Sequence, residues 1–192
     1  MQYAYNWGMT ATSRFTVADR RAANLVGAFA LTLVDRLYEA AEQVVGGSTA
    51  SAALTTLLTY RGIFAVTSIE RLRRILGLSH SATVRLVDRL AEVGYLERRS
   101  SPDGREASLT LTPIGERTAR RILRERQRLL DEVLSVLDAS ERQTLARAIE
   151  KLLAATTGGR WEARNICRLC DHELCHRNPS CPVGDAASAL GQ

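Results

Sequence analysis

Apolar residues recur along 67–115 in two different rhythms, and the change of rhythm predicts what the chain builds there. Over 78–94, Leu86, Leu90 and Val93 stand at i, i+4 and i+7 with Val87 beside them, while Ser81, Arg85, Asp88, Arg89 and Glu92 fall between. A 3.6-residue period of this kind predicts one amphipathic helix, which Ser79 can cap and Gly94 can end. A shorter helix is expected over 68–76, joined to it by the tight connection Gly77-Leu78. The rhythm then changes to two. Residues 95–99 and 107–112 alternate on either side of Pro102 and Asp103-Gly104, which is a hairpin signal.

The helical rhythm returns on both sides of this unit. From 17 to 45, Val26, Phe29, Leu33, Leu37, Ala40 and Val44 advance in three- and four-residue steps up to Gly46-Gly47. A second helix is expected over 52–60, introduced by residues 48–51, with Leu54, Leu57 and Leu58 turned inward. After the hairpin, 114–137 carries Ile122, Leu129, Val133, Val136 and Leu137 as a stripe, and Asp138 and Ser140 open a further helix that runs to 156. Long helices that bracket a small unit cannot all bury their stripes in one thin protomer, so the first, fifth and sixth are expected to pack on a second copy. The predicted fold class is mainly α with a small β wing: a winged helix-turn-helix with long terminal helices for dimerisation. Its parts are a mobile arm at 1–16, a domain at 17–157 with its reading unit at 67–115, a short cysteine-bearing loop at 158–184 and a tail at 185–192.

The stretch LVDRLAEVGYLERRSSPDGREASLTLTPIGE resembles the multiple antibiotic resistance regulator (MarR) family, in its Asp-Arg-Leu helix end, Leu-Glu-Arg strand, Asp-x-Arg wing and Leu-Thr-x-x-Gly exit. That resemblance implies double-stranded DNA as partner, a pseudo-palindromic operator and a homodimer. It also implies that the second helix enters the major groove, through Arg85 and Arg89, and that Arg105 in the wing reaches the minor groove. Ser79, Ser81 and Thr83, at the start of the same helix, complete the expected DNA face. Where many members carry two arginines in the wing tip, this chain has Gly104 before Arg105.

Composition changes the picture only a little. A net charge of +5 suits a polyanionic partner, because cations that displace counterions from phosphates supply most non-specific DNA affinity. Lys151 is the sole lysine, however, so isolated arginines carry little meaning, and the run Arg117, Arg120, Arg121, Arg124, Arg126 and Arg128 reads as a solvated face. No run reaches the ~18 apolar residues of a membrane helix, and the first residues lack the apolar core of a signal peptide. A cytoplasmic protein without a membrane partner is expected. Nothing resembles a phosphate loop or a catalytic triad, and an enzyme is not expected.

All four cysteines lie in one segment, Cys167, Cys170, Cys175 and Cys181, spaced C-x2-C-x4-C-x5-C. Thiolates packed so closely in a cytoplasmic chain point to one metal centre. Iron–sulfur is preferred, as [2Fe–2S] or [4Fe–4S], because the closing Cys181-Pro182 is similar to bacterial ferredoxins and the spacing to the loop of MerR-type superoxide sensors. Zinc is the alternative: four sulfurs suit a tetrahedral ion, although the glycine that knuckles place before the third ligand is Leu174 here. Reactive thiols without metal remain a third reading. His172 and His176 could replace a cysteine, while Trp161 and Ile166 are expected to pack the segment on the dimer helices. The sequence thus predicts a dimeric DNA-binding regulator whose cysteine centre senses redox state, iron or a reactive gas. Its rivals are a structural zinc clip with a small aromatic effector, and an electron-transfer accessory.

Overall fold

The computed structural model describes residues 15–61, 67–100, 107–176 and 180–191. Helix α1 (Val17–Val45) starts at a reciprocal cap, in which Thr16 accepts from the Asp19 amide and Asp19 accepts from Thr16. It ends at Gly46, whose φ of 71° is a left-handed conformation that costs glycine nothing. Helix α2 (Ser48–Thr59) begins four residues earlier than the leucine pattern suggests, and Leu54, Thr55 and Thr56 at its centre are fully buried. Helices α3 (Ile69–Leu76) and α4 (His80–Glu92) follow, capped by Ser68 and Ser79 and separated by Gly77 at φ 66°.

Strands β1 (Leu96–Ser100) and β2 (Ala107–Leu111) pair antiparallel, with Leu96 opposite Leu111 and Arg98 opposite Leu109. The segment before α3 joins this wing at its base, where the Leu109 amide donates to the Thr67 carbonyl at 2.8 Å. Helix α5 (Pro113–Leu134) leaves the wing through a Thr112 cap with proline in its first turn, and α6 (Ala139–Thr156) opens at a second reciprocal cap, Asp138 with Glu141. The core lies where α2, α3, α4, the wing and α5 converge: Leu54, Leu57, Leu72, Leu86, Val87, Leu90, Leu96, Leu109, Leu111 and Ile122. Each such side chain contributes about 1.5–3 kcal/mol when fully buried. The helix-turn-helix and its wing are therefore anchored in the main core.

The terminal helices α1 and α6 are different. Leu25, Val26, Phe29, Leu31, Val34 and Tyr38 of α1 are exposed, and α6 has no buried residue, with Ile149 and Leu152 open. Val136, placed in the α5 stripe by its spacing, lies beyond the helix end and is 83% exposed.

One expectation fails in form. Residues 158–184 are not a loop but a helical layer: α7 (Arg160–Ile166), α8 (His172–His176) and α9 (Pro182–Ala189). Helix α7 packs on α3 and α9, and α9 packs on α6. The Trp161 ring faces the guanidinium groups of Arg74 of α3 and Arg164 of its own helix, 5.2 and 4.7 Å from its centroid. Ile166 and Leu153 of α6 both pack against a small cluster of Ala163, Val183 and Ala187. Periodicity gave no warning of this layer because its helices are five to eight residues long, under two or so turns each.

Candidate nucleic-acid interface and cysteine cluster

The exposed face of α4 is what its apolar stripe leaves behind. With Leu86, Val87 and Leu90 held in the core, Arg85 and Arg89 project outward, and neither is paired among the described residues. Ser79 accepts from the Ala82 amide at 3.2 Å, and its hydroxyl lies 3.3 Å from that of Ser81, so both serines stand at the exposed N-terminus of α4. Thr83 must be corrected. It is fully buried, and its hydroxyl donates back to the Ser79 carbonyl at 2.9 Å. Its spacing already showed this, since 83, 86, 87 and 90 share one helical face. Arg105, with the wing tip, lies outside the described residues, as do residues 1–14 of the expected arm.

Ion pairs stiffen the frame around this face. Arg98 of β1 donates to Asp88 at 2.6 Å, tying the wing to the outer side of α4. On α3, Glu70 accepts from Arg73 and Arg74 at 2.7–2.8 Å, and these hydrogen bonds hold its carboxyl at about 2, well below the usual range. Arg73 and Arg74 are thus engaged, which leaves Arg85 and Arg89 as the cations α4 offers to a phosphate or base edge.

Two of the cysteines cap helices. Cys167 closes α7, and the Cys170 amide donates to its carbonyl at 3.0 Å, a tight turn that brings the two side chains together. The Cys167 and Cys170 side chains lie close enough to share a hydrogen bond. That bond, followed by the charges of Arg126 and Arg168, lowers Cys170 to about 7, while the same bond and burial push Cys167 up. Cys181 begins α9, where its sulfur accepts from the Gly184 amide at 3.4 Å, and it packs on the same small cluster as Cys167. Cys175 is exposed on α8, and burial of its sulfur raises it, with Cys170 and Cys181 close enough to add repulsion.

Among the described residues, no group of three or more His, Cys, Asp or Glu side chains is gathered to hold a metal ion. The fold brings Cys167 and Cys170 into contact, sets Cys181 nearby and leaves Cys175 outermost. His172 turns to Tyr60, whose ring it meets edge-on at 5.5 Å, and the His176 side chain lies outside the described residues. Burial, then the neighbouring Cys167, pushes the Tyr60 hydroxyl up to about 12.

Sequence reasoning missed the residues that fasten this layer to the rest. Asn165 donates to the Ile75 carbonyl at 2.7 Å, Thr55 donates to the Arg168 carbonyl at 2.8 Å, and Leu169 packs on the main core. An asparagine near the end of a short helix carries no pattern that names a partner 90 positions away.

Residues 47–106 match the sequence model of the MarR family. YwhA of Bacillus subtilis (strain 168), described as an uncharacterised HTH-type transcriptional regulator, is 33% identical over 86 residues, 44% of this chain and 62% of its own length. The chain therefore matches less than two thirds of that relative. The solved structure of RV1404 from Mycobacterium tuberculosis is similar with a TM-score of 0.59 at 25% identity, over 73% of this chain and 95% of that one. MepR, a transcription regulator of the Staphylococcus aureus multidrug efflux pump MepA, is similar with a TM-score of 0.63 at 14% identity, over 73% and 98%. A point mutant of MepR bound to an oligodeoxyribonucleotide gives 0.54 at 15% identity, also over 73% and 98%. The fold is the MarR-like winged helix, and the family match ends long before Cys167. Among the described residues no helix is long and apolar enough to cross a membrane.

Proposed function

We propose that this chain is a DNA-binding transcriptional regulator acting as a homodimer on a pseudo-palindromic operator. The observation that carries the reading is α4, whose inward face is locked in the core while Ser79, Ser81, Arg85 and Arg89 stand outward beside a wing. A helix held in this way can enter a major groove without paying in disorder. The MepR mutant bound to an oligodeoxyribonucleotide, on the same fold, supports DNA as the partner. The open apolar faces of α1 and α6 support a second copy, because burying them against each other removes apolar surface that the protomer leaves open.

Selection of random duplexes by the full-length protein tests this. Enrichment of a pseudo-palindrome with half-sites about one helical turn, ~10 bp, apart is expected, with affinity falling steeply as salt rises. Failure to enrich any sequence overturns the reading.

Within it, the four cysteines form one sensing centre, with an iron–sulfur cluster as the preferred occupant and zinc as the alternative. Cys167 and Cys181 at adjoining helix ends, with Cys170 one turn on from Cys167, support this, and closure of the set needs Cys175 to turn inward from α8. Four soft thiolates suit either occupant, and a cluster would supply electron-transfer chemistry sensitive to oxidants. Metal and sulfide analysis of protein purified without oxygen decides between them. Absence of both iron and zinc overturns the metal centre and leaves the Cys167–Cys170 pair as a thiol switch.

A further inference from the structure

The cysteine layer is fastened to the reading head through α7 and the turn that follows it, and to α6 through the cluster that α7 and α9 share. Helix α7 is seated on α3, the first helix of the reading head. There Asn165 donates to the Ile75 carbonyl, in the last turn of α3, where helical carbonyls have no partner of their own. Arg168 holds that asparagine in place, donating to its backbone and side-chain oxygens at 2.7 and 3.3 Å, and Arg168 is itself tied to α2 through its carbonyl and Thr55. Helix α9 packs on α6 through the cluster that Leu153 lies against. The cysteines lie among these attachments: Cys167 ends α7, Cys170 follows the turn, and Cys181 starts α9.

We propose that this layer is a strut between the dimerisation helix α6 and the reading head, so that the state of the four thiols sets where α3 and α4 stand in the dimer. The inference rests on the sensing reading given above. Drawing Cys167, Cys170, Cys175 and Cys181 onto one centre fixes the angle between α7 and α9. Because α7 is hydrogen-bonded to α3 and α3 shares its core with α4 through Leu72 and Leu86, the head moves with it as one body. A dimer reads two half-sites at fixed separation, so a small rotation of each head alters operator affinity. Asn165 and Thr55 act here as positioning residues that touch neither DNA nor the centre.

The test uses full-length protein in three forms: reconstituted without oxygen with iron(II) and sulfide, loaded with zinc(II), and stripped with EDTA. Operator affinity is measured for each at one salt concentration, in wild type, Asn165→Leu and Thr55→Val. Wild type is expected to show a ratio of about tenfold or more between one loaded form and the stripped form. The variants keep wild-type metal content and far-UV circular dichroism, but their ratio falls to within about twofold, because the centre then closes without moving α3. Variants that hold metal and keep the full ratio overturn the strut alone. Equal affinities of loaded and stripped wild type overturn the sensing reading itself. Amide hydrogen exchange supplies a readout independent of variant folding: protection of α3 is expected to differ between loaded and stripped wild type, and identical protection alongside changed affinity also overturns the strut.

Discussion

Gly115 stands where the wing hands the chain to α5, and its replacement by alanine tests how rigidly that joint holds the wing against α5. A methyl group there would overlap the Tyr95 carbonyl oxygen, lie 2.8 Å from the Tyr95 carbonyl carbon and press on Leu111 at 3.2 Å. The first two obstacles are backbone atoms and cannot rotate away. Tyr95 is moreover pinned on both sides, its amide donating to the Leu90 carbonyl at 2.9 Å and its carbonyl accepting from the Thr112 amide at 3.1 Å. Relief of the overlap requires α5 to back away from the wing or Tyr95 to lose the Thr112 bond. Overpacking that moves backbone costs up to about 3 kcal/mol, and a lost hydrogen bond adds about 1. For a chain of this size about 3 kcal/mol corresponds to a fall in Tm of roughly 6–12 °C. Gly46→Ala is the control, since its site is open and only its φ of +71° resists a side chain, at about 1–2 kcal/mol. Thermal unfolding followed by circular dichroism reads both. A Gly115→Ala Tm within 2 °C of wild type, or a loss no larger than that of the control, refutes the close approach of α5 to the wing.

Arg105→Ala is expected to weaken binding to all duplexes with little change in Tm, as a minor-groove cation would, whereas Arg85→Ala relaxes sequence preference if it reads a base edge. Titration of both against matched and mismatched operators separates the roles, and unchanged affinity in both moves the DNA face elsewhere. Serine at any one of Cys167, Cys170, Cys175 or Cys181 should sharply reduce metal content by elemental analysis; four small independent effects would show four unrelated thiols. In the stripped protein at pH 7, Cys170 should alkylate before Cys167, because its lowered pKa of about 7 leaves much of it as thiolate while its neighbour stays protonated. Peptide mapping after a short iodoacetamide pulse reads the order, and the reverse order contradicts the lowering of Cys170 relative to Cys167.

The deletion of residues 158–192 separates two views of the molecule. The apolar stripes of residues 17–156 suggest a unit that folds alone, but Leu169 in the main core and the bonds from Asn165 and to Arg168 make the layer part of the head's own packing. The shortened chain is expected to fold with a lower Tm, and an unchanged Tm would show those contacts to be dispensable.

Read from residues alone, the helices α1, α3, α4, α5 and α6 and the wing were legible because each is decided locally. A cap such as Ser79 or Asp138, a stripe at three- and four-residue steps and a glycine at positive φ act within one or two turns, so their signals are adjacent in the chain. The outward placement of Arg85 and Arg89 followed from the same arithmetic, and so did the burial of Thr83 once its face was counted rather than its polarity. The spacing of the four cysteines marked only a cluster along the sequence. What only the tertiary structure decided is the surface on which that cluster rests. Asn165 meets Ile75 across 90 positions and Thr55 meets Arg168 across 113, and a hydrogen bond between such distant groups depends on the whole fold having placed a spare carbonyl within reach. Local sequence encodes which segments become helices and which face each one hides; the partner of a helix end is set only when all the faces are packed together.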